Sequence, residues 1–247
     1  MKKFLSLALV LLLGVLLIIS LHNNKAFQQY GEIDMQNRIS TNYIDKSTDG
    51  KNILVTYGDS GYETGSANIV TSIVANYRSF DTLGEVTVLF IASLGVALLL
   101  GSVESHRLLL NYRPNFMLRV GSRALFGIIL MTGIYMAIHG HLTPGGGFPG
   151  GSIIASSFLI LYLTDDTYRS KIQGFKIIEG LSGLAYIGMG IVGLVLGEAF
   201  LYNFLPSGTI GDIFSAGIVP IVYVIIGLKV GAELSGVIDH FLTEEGA

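Results

Sequence analysis

The chain has 247 residues, of which 51% are hydrophobic and only 13% charged, and its mean hydropathy is +0.61. Soluble domains carry about 25% charged residues, so this composition asks for a bilayer as its solvent. A formal charge of −3 with no basic stripe argues against a nucleic-acid partner, and the absence of cysteine excludes disulfides and Cys-ligated zinc or iron–sulfur clusters within the chain.

A spanning helix needs about 20 mostly apolar residues. Six stretches qualify, at 4–21, 81–101, 121–140, 150–164, 177–200 and 210–238. The first follows Lys2 and Lys3, as a signal peptide would. Its apolar run, however, exceeds the usual signal-peptide core, and "IISLHNN" offers no small-x-small cleavage site. It reads as a retained helix. Residues 22–65 form a polar outer segment with turn signals "DGKN" and "GDSG" and one strand candidate, "NILVTY", and are too short for a core of their own. In "SANIVTSIVANY", residues 66–77, Ile69, Ile73 and Val74 recur at helical spacing, which predicts an interfacial helix leading into the second span.

The charged linker at 102–120 divides a two-span unit, 1–105, from a four-span unit, 106–247. Lys2 and Lys3, then Arg107, Arg113, Arg119 and Arg123, then Arg169, Lys171 and Lys176 all fall on one side of this arrangement. The positive-inside bias makes that side cytoplasmic and puts both termini there. The expected fold is an all-α polytopic membrane protein of about six transmembrane helices, multi-pass in the cytoplasmic (inner) membrane.

Asp81 and Glu85 stand four residues apart at the start of the second span and share a helix face. Asp81 has an alternative role as an N-cap. Glu85, a full turn further in, does not. Two acids one turn apart raise each other's proton affinity and can hold one proton or cation between them. The stretch "HGHLTPGGGFPGG", residues 139–151, packs seven glycines and prolines into the nine residues from Thr143 to Gly151. A plain turn needs two or three. Such a backbone is tolerated at membrane depth where it is buried in protein or lines a wet cavity. His141 suits proton handling, whereas His139 points to another side of a helix, so the two are poor co-ligands for a metal. No Lys-Ser/Thr follows the glycines, so the loop is not a nucleotide cradle. No catalytic residue, metal site or cofactor is expected in the chain.

The remaining intramembrane charges have plainer readings. Glu179 beside Lys176 reads as an end charge, and Glu198 and Asp212 as solvated near the outer interface. Lys229 reads as lying near the inner end of the last span, snorkelling or pairing with Glu233. Gly193 and Gly197, four apart in the fifth span, read as a close-packing face for a neighbouring helix.

At two of these motifs the sequence resembles a known family. "HLTPGGGFPGG" followed by an apolar span is similar to the MnhB family, a small membrane component of Mrp-type multisubunit Na+/H+ antiporters. "NIVTSIVANYRSFDTLGEVTVLF" resembles the C-terminal end of the large antiporter component, MnhA, which occurs as a separate E-type protein in membrane-bound hydrogenases and related respiratory complexes. The resemblance covers about residues 60–240. It implies an ion and proton pathway at Asp81, Glu85 and His141, a pathway loop at Pro144, Gly145, Gly146, Gly147 and Phe148, and a packed re-entrant form for that loop. The implied partners are other membrane subunits of an ion-translocating complex, with Na+ and H+ as the transported ions. Here the E-type stretch is free of the large component, as in the hydrogenase-type complexes, so the expected parent is a redox-driven ion pump, with an Mrp antiporter as the alternative. A self-sufficient small-solute transporter and a purely structural membrane protein are the further alternatives. The former lacks support from any inverted repeat.

Overall fold

The computed structural model describes residues 2–22, 43, 46–47, 58–100, 105–107, 114–164, 172–197 and 199–245. The chain forms two bodies, Met1–Asn42 and Tyr43–Ala247. In the first, helix α1 (Lys2–His22) carries the apolar run Val10–Ile19. In the second, a single helical turn α2 (Ile69–Ser72) continues into a π-helical turn (Ile73–Tyr77). Then come α3 (Ser79–Leu100), α4 (Phe116–Ile138), α5 (Gly147–Thr164), α6 (Ile172–Gly197) and α7 (Val219–Phe241). Helices α3 to α7 are each long and apolar enough to cross a membrane. The protein is therefore an all-α, multi-pass membrane protein. Strand structure among the described residues amounts to two isolated bridges and a ribbon of β1 (Ser105–Arg107) with β2 (Thr243–Glu245).

Helix α7 is the axis of the second body. α3, α4, α5 and α6 all pack on it. Val219, Val222, Ile226 and Val230, spaced three and four apart, form its buried stripe. Apolar surface alone does not drive helices together in lipid, because the lipid tails are equally apolar; close van der Waals contact does. That contact comes from glycine. A Cβ on Gly151 would stand 2.7 Å from Val230 Cβ and 2.9 Å from the Gly227 carbonyl, and one on Gly150 would stand 2.8 Å from the Gly133 carbonyl. With Gly231, these residues bring α4, α5 and α7 to backbone contact.

Several boundaries differ from the sequence reading. α4 starts at Phe116 rather than 121, because Asn115 caps it, its side chain accepting from the Leu118 N–H at 2.8 Å. Arg119 and Arg123 are consequently helical. α7 starts at Val219 rather than 210. The apolar residues before it are held in turns, where Asn203 Nδ2 donates to the Ala216 carbonyl at 3.2 Å and Asn203 Oδ1 accepts from the Ile218 N–H at 3.0 Å. Among the described residues, Gly193 and Gly197 face the returning chain rather than a neighbouring helix. The chain reverses after α6, and Tyr202 folds back onto both glycines. The helix expected at 66–77 starts at Ile69, capped by Asn68, and its second part is the π turn. The strand candidate at 52–57, most of segment 22–65, and Glu198 lie outside the described residues.

Candidate functional site

The segment before α3 acts as a bracket on the glycine loop. Asn68 is the N-cap of α2, accepting from the Val70 N–H at 3.2 Å. Its Nδ2 donates to the carbonyls of Gly140 and Thr143, both at 3.1 Å, and its backbone N–H donates to the His141 carbonyl at 3.1 Å. Thr71 Oγ1 donates to the Gly140 carbonyl at 2.7 Å. The loop carbonyls, which a turn at membrane depth cannot leave bare, thus find donors on a segment some seventy residues earlier in the chain.

The loop itself is a tight turn over 139–146, and Gly147–Gly151 are the first turns of α5. It is packed, as expected, but it does not re-enter as a separate element. Gly146 has φ +139°, which only glycine adopts readily, and it faces the Tyr223 ring. A Cβ on Gly147 would stand 2.6 Å from Ile226 Cβ. Gly145 lies against Met136, Phe148 is partly buried against the core, and Pro144 is exposed at the tip.

The two histidines separate as their spacing suggested. His139 is the C-cap of α4 and stacks on Tyr135, with ring centroids 4.2 Å apart. His141 is fully buried. Its Nε2 lies 3.2 Å from the Asp212 carbonyl oxygen, and its Nδ1 has no hydrogen-bond partner among the described residues. Burial pushes this imidazole below its ordinary range, and the Asp212 carbonyl bond pulls in the opposite direction. The Asp212 side chain itself is exposed.

Asp81 lies inside the first turn of α3 and pairs with Arg78 rather than capping the helix. Glu85 lies on the exposed face of α3, and no hydrogen bond or ion pair among the described residues reaches it. It stands close enough to interact electrostatically with Tyr186 and Tyr223. Tyr223 in turn contacts the Thr71 hydroxyl and the loop glycines. The acid motif and the glycine motif therefore do not touch. Tyr223, a residue that an apolar run in α7 concealed, packs on the glycine motif and lies within electrostatic range of Glu85.

Two further residues were misplaced by the sequence reading. Lys229 is ten residues into the 23-residue α7, so it lies near the middle rather than the inner end. Glu179 is seven residues inside α6 and lines cavities shared with Lys229 and Glu233, so it is not an end charge. Among the described residues no three of His, Cys, Asp and Glu gather as a metal-holding group.

These features define a helical membrane protein in which an N-terminal bracket is docked on a glycine-loop bundle. A family model for a domain related to the MnhB subunit of Na+/H+ antiporter matches residues 117–236, and the MbhE model, which describes a component of MBH, matches residues 33–107. The chain is 39% identical to a chain of the membrane-bound sulfane sulfur reductase (MBS), an archaeal respiratory membrane complex, over 99% of each chain with a TM-score of 0.79. It shares its fold, at 21% identity and TM-score 0.67, with a chain of the Mrp complex from Dietzia sp. DQ12-45-1b, covering 98% of this chain and 26% of that one. It is 28% identical over 131 residues to the putative antiporter subunit mnhB2 of Staphylococcus saprophyticus, covering 48% of this chain and 91% of that protein. The chain thus carries an MnhB-related domain at 117–236, with an MbhE segment in front of it.

Proposed function

We propose that this chain is a subunit of the Na+/H+-translocating module of a multisubunit membrane complex in which redox chemistry drives ion pumping. On this reading it sits in the cytoplasmic membrane among other membrane subunits, both termini are cytoplasmic, and segment 22–65 faces outward. The pathway uses Asp81, Glu85 and His141, beside the loop Pro144–Phe148. The observation that carries the proposal is the bracket. Residues from the E-type part, Asn68 and Thr71, hold the loop of the MnhB-type part, and Tyr223, packed on that loop, lies within electrostatic range of Glu85. An ionisable residue on a spanning helix, unpaired among the described residues of its own chain, is a functional site by default. On this reading Glu85 exchanges a proton or cation with a group on an adjoining subunit. The match to a respiratory complex along nearly the whole chain favours redox coupling. The MnhB-related domain keeps an electron-independent antiporter as the second reading.

The test is Glu85→Gln in the assembled complex, in vesicles, read as Na+-dependent proton movement with and without electron donor. The variant keeps the shape and loses the exchangeable charge. It should assemble and translocate at least tenfold more slowly. Asp81→Asn, which removes a charge already held in an exposed ion pair with Arg78 worth about 0–1 kcal/mol, should do less. A Glu85→Gln complex that pumps at the wild-type rate removes Glu85 from the pathway. Translocation independent of donor selects the antiporter. Cysteine placed at Gly50 in this Cys-free chain tests the orientation, and labelling only from the cytoplasmic side overturns it.

A further inference from the structure

At 1.5 Å rise per residue, Lys229 lies about 15 Å and Glu233 about 21 Å from the start of α7, within a hydrocarbon layer about 30 Å thick. The Glu233 side chain is fully buried and that of Lys229 is 9% exposed. Glu233 Oε1 accepts from the Ser93 hydroxyl of α3 at 3.0 Å. Glu233 Oε2 receives no hydrogen bond from the described residues and meets Lys229 Nζ only at 3.4 Å, longer than the roughly 2.7–2.9 Å of a charge-assisted bond. The ammonium rests 5.1 Å from the centroid of the Phe90 ring. This is a loose pair. A buried pair of this kind stabilises a fold poorly, since desolvation offsets the attraction.

Two half-open cavities between α3, α6 and α7 adjoin the pair. One, of about 370 Å³, is lined by Ser93, Lys176, Glu179, Glu233 and His240. The other, of about 280 Å³, is lined by Thr87, Glu179, Tyr186 and Lys229. The first extends toward the N-terminal end of α6 and the C-terminal end of α7. The second extends toward the start of α3, where Glu85 stands. Phe90, Glu179 and Gly180 border both. Glu233 thus borders one cavity and Lys229 the other, with the Glu233 side chain itself closed off at 0% exposure.

We propose that Lys229 and Glu233 form a proton-carrying site in mid-membrane, linking the His240 end of the bundle to the Glu85 end. The inference rests on the ion-translocating reading above. A proton arriving through the first cavity, faced by Lys176, Glu179 and His240, bonds to the Glu233 carboxylate and neutralises it. Lys229 then holds its positive charge without a counter-charge and releases one N–H proton into the second cavity, faced by Tyr186 and Glu179, toward Glu85. The neutral amine takes the proton of the Glu233 carboxyl, and the ion pair is restored. One proton has crossed, and every bond broken has been remade.

The experiment compares wild type, Glu233→Asp and the double variant Lys229→Gln/Glu233→Gln in the assembled complex, with proton movement in vesicles read across pH 5 to 9. Glu233→Gln alone strands a buried ammonium and is open to assembly loss, so the neutral double variant carries the test. A structural pair permits full function when both charges are removed together. A relay does not, and the double variant should assemble and move protons at least tenfold more slowly. Glu233→Asp, still titratable but shorter, should keep part of the rate and shift its pH profile. Wild-type rates in the double variant, or an unshifted profile in Glu233→Asp, overturn the proposal. A wild-type complex that moves no protons under a Na+ gradient or with electron donor fails the reading of function itself, which separates the two failures.

Discussion

Replacing Asn68 by alanine isolates the bracket. The side chain makes three hydrogen bonds, to the carbonyls of Gly140 and Thr143 at 3.1 Å each and from the Val70 N–H at 3.2 Å. Net values of about 0.5–1.5 kcal/mol per bond give about 1.5–4.5 kcal/mol for the set. The site is half-buried, so the freed carbonyls regain some solvation and the lower part of the range applies, about 2 kcal/mol. At tenfold per 1.4 kcal/mol, the loop should open about 30-fold more often. The reporters are the amide protons of Leu142, Thr143 and Gly146, which bond to the carbonyls of His139 and Met136 inside the turn. Hydrogen exchange on the full chain in detergent should show them accelerated by that factor, with the α7 core unchanged. Asn68→Ser keeps the cap and loses both long-range donors, so it should fall between. Exchange within threefold of wild type in Asn68→Ala would show that the loop is held by its own packing and that the bracket is incidental.

Gly151→Ala drives a methyl group into Val230 and two backbone atoms of α7. Overpacking of this kind costs about 1–3 kcal/mol, read as a lower unfolding midpoint by far-UV circular dichroism, while Gly183→Ala, which meets nothing within 4 Å, should stay within about 0.5 kcal/mol; equal midpoints refute the seam. His141 is held below its ordinary value by burial, so the folded chain binds this proton less readily than the unfolded chain. Its contribution is complete above about pH 6.5 and is lost as pH falls below that value through the lower folded one. Unfolding midpoints should drop between pH 7 and pH 5 and do so less steeply in His141→Asn; identical slopes refute it.

The spans were legible because apolar runs of helical length have few other uses. The errors share one physical source, which is that sequence spacing does not name the partner. Residues 210–218 are apolar enough to extend a span, yet Asn203 ties them into turns, with Ala216 at φ 64°. That false start displaced Lys229 from the middle of its helix to the end and hid the depth of its pair with Glu233. Gly193 and Gly197 carry the spacing of a helix-packing face, but what they admit, the Tyr202 backbone and ring respectively, belongs to the returning chain. For the site, the separation of His141 from His139 followed from their two-residue offset. The roles of Asn68 and Tyr223 did not, because each acts on a loop about seventy to eighty residues away, beyond the reach of any local pattern.

The π-helical turn at Ile73–Tyr77 has a consequence for how this chain can vary. It closes with a bond from the Arg78 N–H to the Ile73 carbonyl at 2.8 Å, five residues back. Of its five side chains only Ala75 is buried; Ile73, Val74 and Tyr77 are exposed. The turn therefore sets an angular phase between the bracket and α3. Deleting one residue would let it relax into an ordinary helix and rotate everything upstream by about 100°, carrying Asn68 and Thr71 off the loop carbonyls. Here the count of residues is constrained and their identities are comparatively free, so a single-residue deletion does more damage than several substitutions.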